Sequence, residues 1–125
     1  MIRLFRVIAL SFILVSCSTA YKPTNSSAFQ NRRPDISKVI YEGGNGKSID
    51  NCIIIKNAEN ETNGIASEYA YISKIHGQKH TNWELISQSL QTNNNRKYDV
   101  LDIQTLPQKE KISYYFDITD FYGKF

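Results

Sequence analysis

Large apolar residues occupy every second position near the C-terminal end of the chain, between residues 111 and 119. They alternate with Ser113, Tyr115 and Asp117, which fall on the opposite side. A period of two is the pattern of a β-strand with one buried face. The alternation therefore predicts a strand over residues 111–119, with Tyr115 pointing away from the core.

Four further segments have the composition of strands, at residues 38–41, 52–56, 83–92 and 97–105. The second contains three consecutive isoleucines, Ile53 to Ile55, which indicates burial on both faces and a central place in a sheet. Short polar stretches separate the last three strands, among them the turn Asn93-Asn94-Asn95. Because short turns of this kind join antiparallel hairpins, the sequence predicts an antiparallel sheet.

Residues 58–76 show a helical period. Four residues recur at intervals of three or four and predict one buried stripe, made of Ile65, Tyr69, Ile72 and His76. The opposite side is then expected to carry Ser67, Tyr71 and Lys74. Either Asn60 or Thr62 is placed to cap the N-terminus of this helix, and Gly77 suits a left-handed C-terminal cap.

Together these elements predict an α+β domain in the order β-β-α-β-β-β. The expected architecture is a small antiparallel sheet of four to five strands with one amphipathic helix packed on one face. Three short segments, at residues 68–71, 87–90 and 115–118, resemble sequences of small bacterial envelope proteins that have no assigned activity. That resemblance implies a place in the envelope and no particular chemistry.

The N-terminus has the order of charge and hydrophobicity that is typical of a secretory signal. Arg3 and Arg6 precede an apolar stretch at residues 7–15 that is interrupted only by Ser11. This stretch has about half of the ~20 residues that a membrane-spanning helix needs, so a permanent transmembrane helix is not expected.

The signal ends in Leu14-Val15-Ser16-Cys17, which resembles the lipobox of bacterial lipoproteins. The resemblance implies that the sulfur of Cys17 carries a diacylglyceryl group, that the chain is cut before this residue, and that the new N-terminus is acylated. Two or more acyl chains hold a protein firmly at a membrane, whereas one chain binds only marginally. The alternative is an ordinary signal peptide with an incidental cysteine nearby.

The lipobox divides the chain into three parts. Residues 1–16 are predicted to be the signal peptide, 17–37 the lipidated N-terminus and a flexible tether, and 38–125 a single α+β domain. In enteric lipoproteins an aspartate directly after the lipidated cysteine is the signal for staying at the inner membrane, and this chain has Ser18 there. The resemblance therefore favours the periplasmic face of the outer membrane if the source is Gram-negative.

The charge of the predicted mature chain is close to balanced. The 15 Lys and Arg residues fall to 13 when Arg3 and Arg6 leave with the signal, against 12 acidic residues, so the net charge is about +1. Basic residues cluster only at Arg32-Arg33 and Arg96-Lys97. Nucleic acid is therefore not an expected partner, and nothing in the sequence indicates a cofactor.

Two features resemble known sites but lack the remaining parts of those sites. The segment Gly46-Lys47-Ser48 matches the end of a P-loop, but Tyr41 stands where the first glycine is needed, and a strand rather than a helix is predicted to follow. His76 and His80 have the spacing of two zinc ligands on a helix, but Gly77 is expected to end the helix between them. We therefore predict neither a nucleotide site nor a metal site.

Cys52 is the one cysteine of the predicted domain. It opens a strand that is expected to be buried, where a free thiol behaves as a small inert hydrophobe. Because lipidation would occupy the sulfur of Cys17, no disulfide is expected, and the core alone must hold the domain together.

Three aspartates, Asp99, Asp102 and Asp117, lie on strands that are expected to be neighbours. Two carboxylates about 5–9 Å apart would suit glycoside hydrolysis. The same residues are also common on the exposed faces of strands, where they keep a protein soluble. A carboxylate-dependent hydrolase is therefore the least favoured of three functional hypotheses.

Aromatic residues are concentrated at the C-terminus. Tyr115 lies off the predicted core face, and Phe121 and Tyr122 follow the last strand. Rigid aromatic rings with polar neighbours are favoured at binding surfaces, so these three residues form the candidate binding surface. The alternative is that Phe121 and Tyr122 fold back to close an open end of the core.

The sequence thus predicts a lipid-anchored, non-catalytic binding module of the cell envelope, attached to the membrane through its N-terminal lipid. The expected partner is an envelope protein or a wall glycan. The main alternative is a small periplasmic inhibitor or immunity lipoprotein that acts on an envelope hydrolase.

Overall fold

The computed structural model describes residues 33–125. The predicted signal peptide, Cys17 and most of the predicted tether lie outside the described residues. The described chain forms β1 (Ile40–Gly43), β2 (Ile53–Lys56), α1 (Glu61–His76), β3 (Trp83–Asn93), β4 (Arg96–Thr105) and β5 (Lys111–Asp117). An α+β fold with one small sheet and one helix is therefore confirmed. The helix in this part of the chain is not long and apolar enough to cross a membrane.

The sheet is mixed, which corrects the prediction that it is antiparallel. Its strand order is β1-β2-β5-β4-β3, and β2 pairs with β5 in parallel while the other neighbouring strands are antiparallel. The hairpins β3–β4 and β4–β5 reverse the chain twice, so β3 and β5 run in the same direction as β2. The segment that contains α1 therefore returns the chain to the end of the sheet where β2 begins, as a crossover connection must.

The β3–β4 hairpin turns at the predicted run of asparagines. Asn94 and Asn95 have φ values of 48° and 60°. The favoured two-residue turn in a hairpin needs positive φ at both central residues, and asparagine tolerates that conformation better than most other residues do. The prediction of a tight turn at this point is confirmed.

A cluster of buried side chains holds the helix and the strands together. Ile53 and Ile55 of β2 are almost completely buried, whereas Ile54 on the other face is only partly buried, so the predicted burial on both faces is complete on one face alone. The indole N–H of Trp83 donates to the carbonyl of Gly77 at 2.9 Å, which ties the start of β3 to the end of α1. The cluster consists of Ile53, Ile55, Ala58, Ile72, Trp83, Leu101, Ile103, Tyr114, Phe116, Ile118 and Phe121.

The buried side of α1 is turned by about one residue from the predicted stripe. Ser67 is fully buried, and Tyr71 packs edge-on against Phe116, with ring centroids 5.8 Å apart. Ile65, which the pattern placed on the buried stripe, is 38% exposed. The physical reason is side-chain size, because the small residues Gly64 and Ser67 allow the helix to approach large rings closely.

The caps of α1 explain where the helix begins and ends. The side-chain oxygen of Asn60 accepts a hydrogen bond from the N–H of Asn63 at 2.9 Å, which identifies Asn60 rather than Thr62 as the N-cap. At the other end Gly77 has a φ of 99° and its N–H donates to the carbonyl of Ser73. The prediction that Gly77 ends the helix is confirmed.

Candidate functional site

A cleft of about 170 Å³ opens where the first turns of α1 meet the β3–β4 hairpin and the C-terminal segment. Its walls are mainly apolar, and two carboxylate side chains also line it. The lining residues are Glu61, Ile65, Leu90, Asp99, Ile118, Phe121 and Tyr122. A concave, mostly apolar surface with a few converging polar groups is the usual form of a binding site. This cleft is therefore the candidate functional site.

Two of the three walls come from α1 and from the β3–β4 hairpin. Glu61 and Ile65 are four residues apart on α1, so they lie on the same side of the helix. Leu90 and Asp99 are direct partners across β3 and β4, so their side chains leave the sheet on the same face. The pairing of the two strands thus places an acid beside an apolar wall.

The C-terminal segment forms the third wall. The N–H groups of Phe121 and Tyr122 both donate to the carbonyl of Ile118, at 3.1 and 2.9 Å, which turns the chain back toward α1. There the N–H of Gly123 donates to Oε1 of Glu61 at 2.6 Å. Glu61 also stands at the positive end of the helix dipole, which favours its charge. The N-terminus of the helix therefore holds the chain end in place.

Glu68 is a fully buried acid beside the cleft. It follows Ile65 by three residues on α1, and its side chain lies against Asp99. Its exposed fraction is 0%, and among residues 33–125 no N–H or hydroxyl group donates to its carboxyl oxygens, so its hydrogen-bonding neighbour is the carboxyl group of Asp99. Burial first, and then the charge and hydrogen bonding of Asp99, raise the pKa of Glu68 to about 9. Glu68 is therefore protonated at neutral pH.

Asp99 is the charged member of this acid pair, Glu68 and Asp99. It is 8% exposed, and its Oδ2 accepts a hydrogen bond from Nε2 of Gln88 at 2.7 Å. Burial is the largest influence on the pKa of Asp99 and raises it, and the charge of Glu61 raises it further. The hydrogen bonds with Gln88 and Glu68 act in the opposite direction and lower the pKa. The net pKa is above the usual value. The three acids are therefore electrostatically coupled.

Two other depressions of the domain each contain a titratable side chain that is already paired. In one of them Nε2 of His76 lies 2.8 Å from the hydroxyl of Tyr114. In the other, Asp102 accepts hydrogen bonds from Ser87 at 2.6 Å and from Ser113 at 2.5 Å. In the described part of the chain, the carboxyl oxygens of Glu68 are the buried side-chain polar atoms without a partner. The cleft beside Glu68 is therefore the stronger candidate.

The structure separates the three residues of the predicted binding surface. Phe121 and Tyr122 line the cleft, whereas Tyr115 pairs with Val100 on the other face of the sheet. Phe121 is 1% exposed and belongs to the core, so it closes the core rather than forming an exposed surface. Tyr122 is 44% exposed, and Nζ of Lys97 lies 5.4 Å from the centre of its ring. Of the predicted residues, Tyr122 is the one that both lines the cleft and is open to contact.

The three aspartates of the hydrolase hypothesis do not come together. Asp99 lines the cleft, whereas Asp102 and Asp117 belong to the opposite face of the sheet. Asp117 pairs with Tyr98 across β4 and β5, so it lies four positions along from Asp102. Four strand residues span about 13 Å, which exceeds the about 5–9 Å that glycoside hydrolysis needs. The described geometry gives the hydrolase hypothesis no support.

Asp117 is the buried member of an ion pair whose other member, Arg96, is partly exposed. Nε of Arg96 lies 2.5 Å from its Oδ2, and the N–H and hydroxyl of Thr119 donate to its Oδ1 at 3.1 and 2.7 Å. Burial works to raise the pKa of Asp117, but these hydrogen bonds and the charge of Arg96 outweigh it and hold the pKa below its usual value. Because the carboxylate of Asp117 is bonded to these groups of the protein itself, its role is to stabilise the fold.

The glycine-rich loop before β2 is a structural turn. Gly43 and Gly46 have φ values of 86° and 77°, and a strand rather than a helix follows, as the sequence predicts. The carbonyl of Gly46 accepts a hydrogen bond from the N–H of Tyr115 at 2.8 Å, and Nζ of Lys47 lies 4.3 Å from the centre of the Tyr114 ring. These contacts fasten the loop to β5.

The histidines and the cysteine of the domain do not form a site with one another. His80 lies beyond the end of α1 with a φ of 68°, so it does not share a helix face with His76. Residues 33–125 contain no group of three His, Cys, Asp or Glu side chains that could hold a metal ion. Cys52 is buried, and burial followed by the charge of Asp117 raises the pKa of its thiol, which disfavours the reactive thiolate.

Sequence reasoning missed Glu68 and Gln88. Glu68 was assigned no role from the sequence, although its position three residues after Ile65 and four before Ile72 places it beside the predicted stripe. One signal was present, since Glu68 follows Glu61 by seven residues and therefore shares a helix side with it. Nothing in the sequence marked Gln88, whose role depends on the pairing of β3 with β4.

Comparisons with known proteins found no protein-family model, no curated protein and no solved structure that matches this chain.

Proposed function

We propose that this protein is a lipid-anchored, non-catalytic binding module of the bacterial cell envelope and that it receives its ligand in the cleft. The observation that carries the proposal is the buried acid pair beside an open, apolar cleft. A buried acid whose hydrogen-bonding neighbour is a second acid costs the fold stability. Natural proteins keep such costly local features mainly at functional sites, so the acid pair supports a role for the cleft.

The resemblance of the N-terminus to a lipobox supports the anchor, and the polar composition of the residues after it supports a tether. Leu14-Val15-Ser16-Cys17 would attach the chain at Cys17, and the polar residues between Cys17 and β1 would act as the tether. In this proposal α1 covers one face of the sheet, and the cleft lies where that cover ends beside the edge strand β3. If the source is Gram-negative, we propose the periplasmic face of the outer membrane.

The anchor is tested by the intact mass of the protein after extraction from the membranes of its own host. We expect a chain that starts at Cys17 and carries a diacylglyceryl group and an acyl chain. A Cys17→Ser variant should leave the membrane fraction. A chain without lipid that is cut at another residue would disprove the anchor and leave the cleft to be tested separately.

The cleft is tested with a matched pair of variants on β3. Leu90 lines the cleft and Ile86 does not, yet they are 48% and 51% exposed. We expect wall glycan fragments or envelope proteins to shift the methyl NMR signals of Ile65, Leu90 and Ile118. Leu90→Gln should weaken this binding and Ile86→Gln should not. Equal binding by both variants would show that the ligand does not use the cleft.

The same variants test the inhibitor alternative. If the bound partner is an envelope hydrolase, wild-type protein should reduce its activity, and Leu90→Gln should reduce it less. A hydrolase that keeps full activity when bound would rule out an inhibitory role while leaving the binding role in place.

A further inference from the structure

The charges of the cleft are all of one sign. Of the charged side chains described, those that line it are Glu61 and Asp99, and no Lys or Arg of residues 33–125 does so. An anionic ligand would be repelled by both carboxylates. A purely apolar ligand would cover Asp99 and would remove its remaining access to water, which is costly for a charged group.

The carboxylate of Asp99 keeps room for a further hydrogen-bond donor. Gln88 donates to Oδ2 at 2.7 Å and Glu68 also bonds with this carboxylate, but a carboxylate has about four acceptor sites, so Asp99 can accept from a donor that enters the cleft. Ile65 and Leu90, which are both partly exposed, border the same space and offer contact to methylene groups. The cleft thus combines one carboxylate acceptor with walls that suit an alkyl chain.

Glu68 keeps the negative charge of the acid pair on Asp99. It is completely buried and is protonated at neutral pH, because burial and Asp99 raise its pKa to about 9. Its hydrogen bond with Asp99 works to lower the pKa of Asp99 and so favours the ionised form of that side chain. Of the two acids, Asp99 is also the one that lines the cleft, so it is the carboxylate that a cationic group entering the cleft would meet.

We infer that the cleft binds a primary ammonium group carried on an alkyl chain, with Asp99 as the carboxylate that receives it; this inference rests on the proposed binding function. The ammonium group supplies three hydrogen-bond donors, of which one reaches the carboxylate of Asp99. The alkyl chain lies against Ile65 and Leu90. Tyr122 borders the entrance, and its ring already has the Lys97 ammonium group 5.4 Å from its centre, a geometry that stabilises cations.

The probe that tests the inference is hexylammonium, with hexan-1-ol as the neutral ligand of the same length. Binding to the full-length protein is followed by the methyl NMR signals of Ile65 and Leu90. We expect hexylammonium to bind about tenfold more tightly than hexanol, because a hydrogen bond to a charged group is worth more than one between neutral groups. Equal affinities would overturn the inference.

Two aspartate variants identify the carboxylate that is responsible. Asp99→Asn keeps an oxygen for the Gln88 hydrogen bond and removes the charge, so it should abolish the preference for hexylammonium while hexanol still binds. Asp102→Asn changes a carboxylate on the opposite face of the sheet and should keep the preference. A preference that survives in Asp99→Asn would overturn the assignment of Asp99.

Two sources supply such a group, a free amine or a lysine side chain of a partner protein. Nα-acetyl-lysine N-methylamide, tested beside hexylammonium, distinguishes the two sources. If this lysine derivative binds, the ligand is a lysine side chain; if hexylammonium binds and the lysine derivative does not, the ligand is a free amine. Binding of hexanol without any ammonium preference would refute this inference and leave the proposed binding function standing. If neither probe nor any envelope fraction shifts the cleft signals, the proposed function itself fails.

Discussion

Glu68 is the residue whose charge state has the largest expected effect on the fold. Its pKa in the folded protein is raised to about 9 from a usual value of 4.5, by burial first and then by Asp99. Below pH 4.5 the folded and unfolded chains both hold the proton. Between these values the unfolded chain releases the proton and the folded chain keeps it, so stability falls as the pH rises.

We therefore predict that Glu68→Gln gains stability relative to wild type as the pH rises. Glutamine mimics the protonated acid and can donate to Asp99, but it does not titrate. The difference in free energy of unfolding should move in favour of the variant by at least about 1 kcal/mol between pH 5.5 and 8.5. Chemical denaturation at several pH values measures it.

The baseline for this experiment is Glu84→Gln, the same change at an exposed position of β3. His76, whose pKa is lowered by burial and then by the charge of Lys47, affects wild type and variants alike and cancels in the comparison. A constant difference between Glu68→Gln and wild type over this pH range would show that Glu68 titrates normally.

Arg96 and Asp117 provide the second prediction at the scale of residues. The side chain of Asp117 is 3% exposed and its partner Arg96 is partly exposed. Arg96→Met keeps the length of the side chain but leaves the buried carboxylate without its cation. We expect a loss of about 2 kcal/mol in the free energy of unfolding at pH 7, below the full value of a buried pair because Arg96 is partly in water.

Lys56→Met is the matched control for that variant. It removes the pair between Lys56 and Asp120, both of which are partly exposed, so the expected loss is below about 1 kcal/mol. Thermal or urea unfolding of the two variants measures the difference. Equal losses would mean that burial of Asp117 does not strengthen its ion pair.

The residues that sequence analysis identified least well are those whose role depends on contacts between distant segments. The alternation of β5 placed Tyr114 and Phe116 in the core, and both are buried. The acid pair was not predicted, because Glu68 and Asp99 meet only after α1 has been packed against β4. Phe121 was ambiguous for the same reason, since the pattern of the strand ends before it.

At the scale of elements, the contact between α1 and the C-terminal segment depends on Gly64. A Cβ atom at this position would lie 2.1 Å from the ring of Phe121. We predict that Gly64→Ala destabilises the protein by about 2 kcal/mol, because overpacking of this kind costs about 1–3 kcal/mol, while the better helix propensity of alanine returns at most about 1 kcal/mol. Urea unfolding measures the change.

A double-variant cycle separates overcrowding from any other effect of the new methyl group. Phe121→Leu removes part of the ring that the alanine would strike. Gly64→Ala should therefore cost less stability in the Phe121→Leu background than in wild type. If the losses in the free energy of unfolding are additive, the side chains at positions 64 and 121 do not interact in the way proposed.

The elements themselves follow from local patterns, whereas their arrangement does not. Period-two alternation and the asparagine turn define β3, β4 and β5 from residues that are near one another in the chain. The parallel pairing of β2 with β5 joins segments about sixty residues apart, and no local pattern reports it. The buried side of α1 was missed because small residues such as Gly64 and Ser67, rather than the largest apolar ones, face the sheet.

At the scale of the whole molecule, the described residues 33–125 contain one contiguous buried core. The buried cluster runs from Ile53 to Phe121, and Glu61 fixes the chain end through Gly123 and Lys124. We therefore predict that a chain starting at residue 33 unfolds cooperatively, at the same melting temperature as the non-lipidated chain that starts at residue 17. Calorimetry of the two chains, with Cys17→Ser in the longer one, measures this.

The two chains should also bind in the same way, since the cleft uses residues from Glu61 to Tyr122. Equal affinity for hexylammonium, together with equal melting temperatures, would assign the preceding residues to attachment alone. A lower melting temperature or weaker binding in the shorter chain would mean that residues 17–32 contribute to the domain. The predicted tether would then be wrong, because a segment that stabilises the domain cannot also act as a free spacer between the lipid and the cleft.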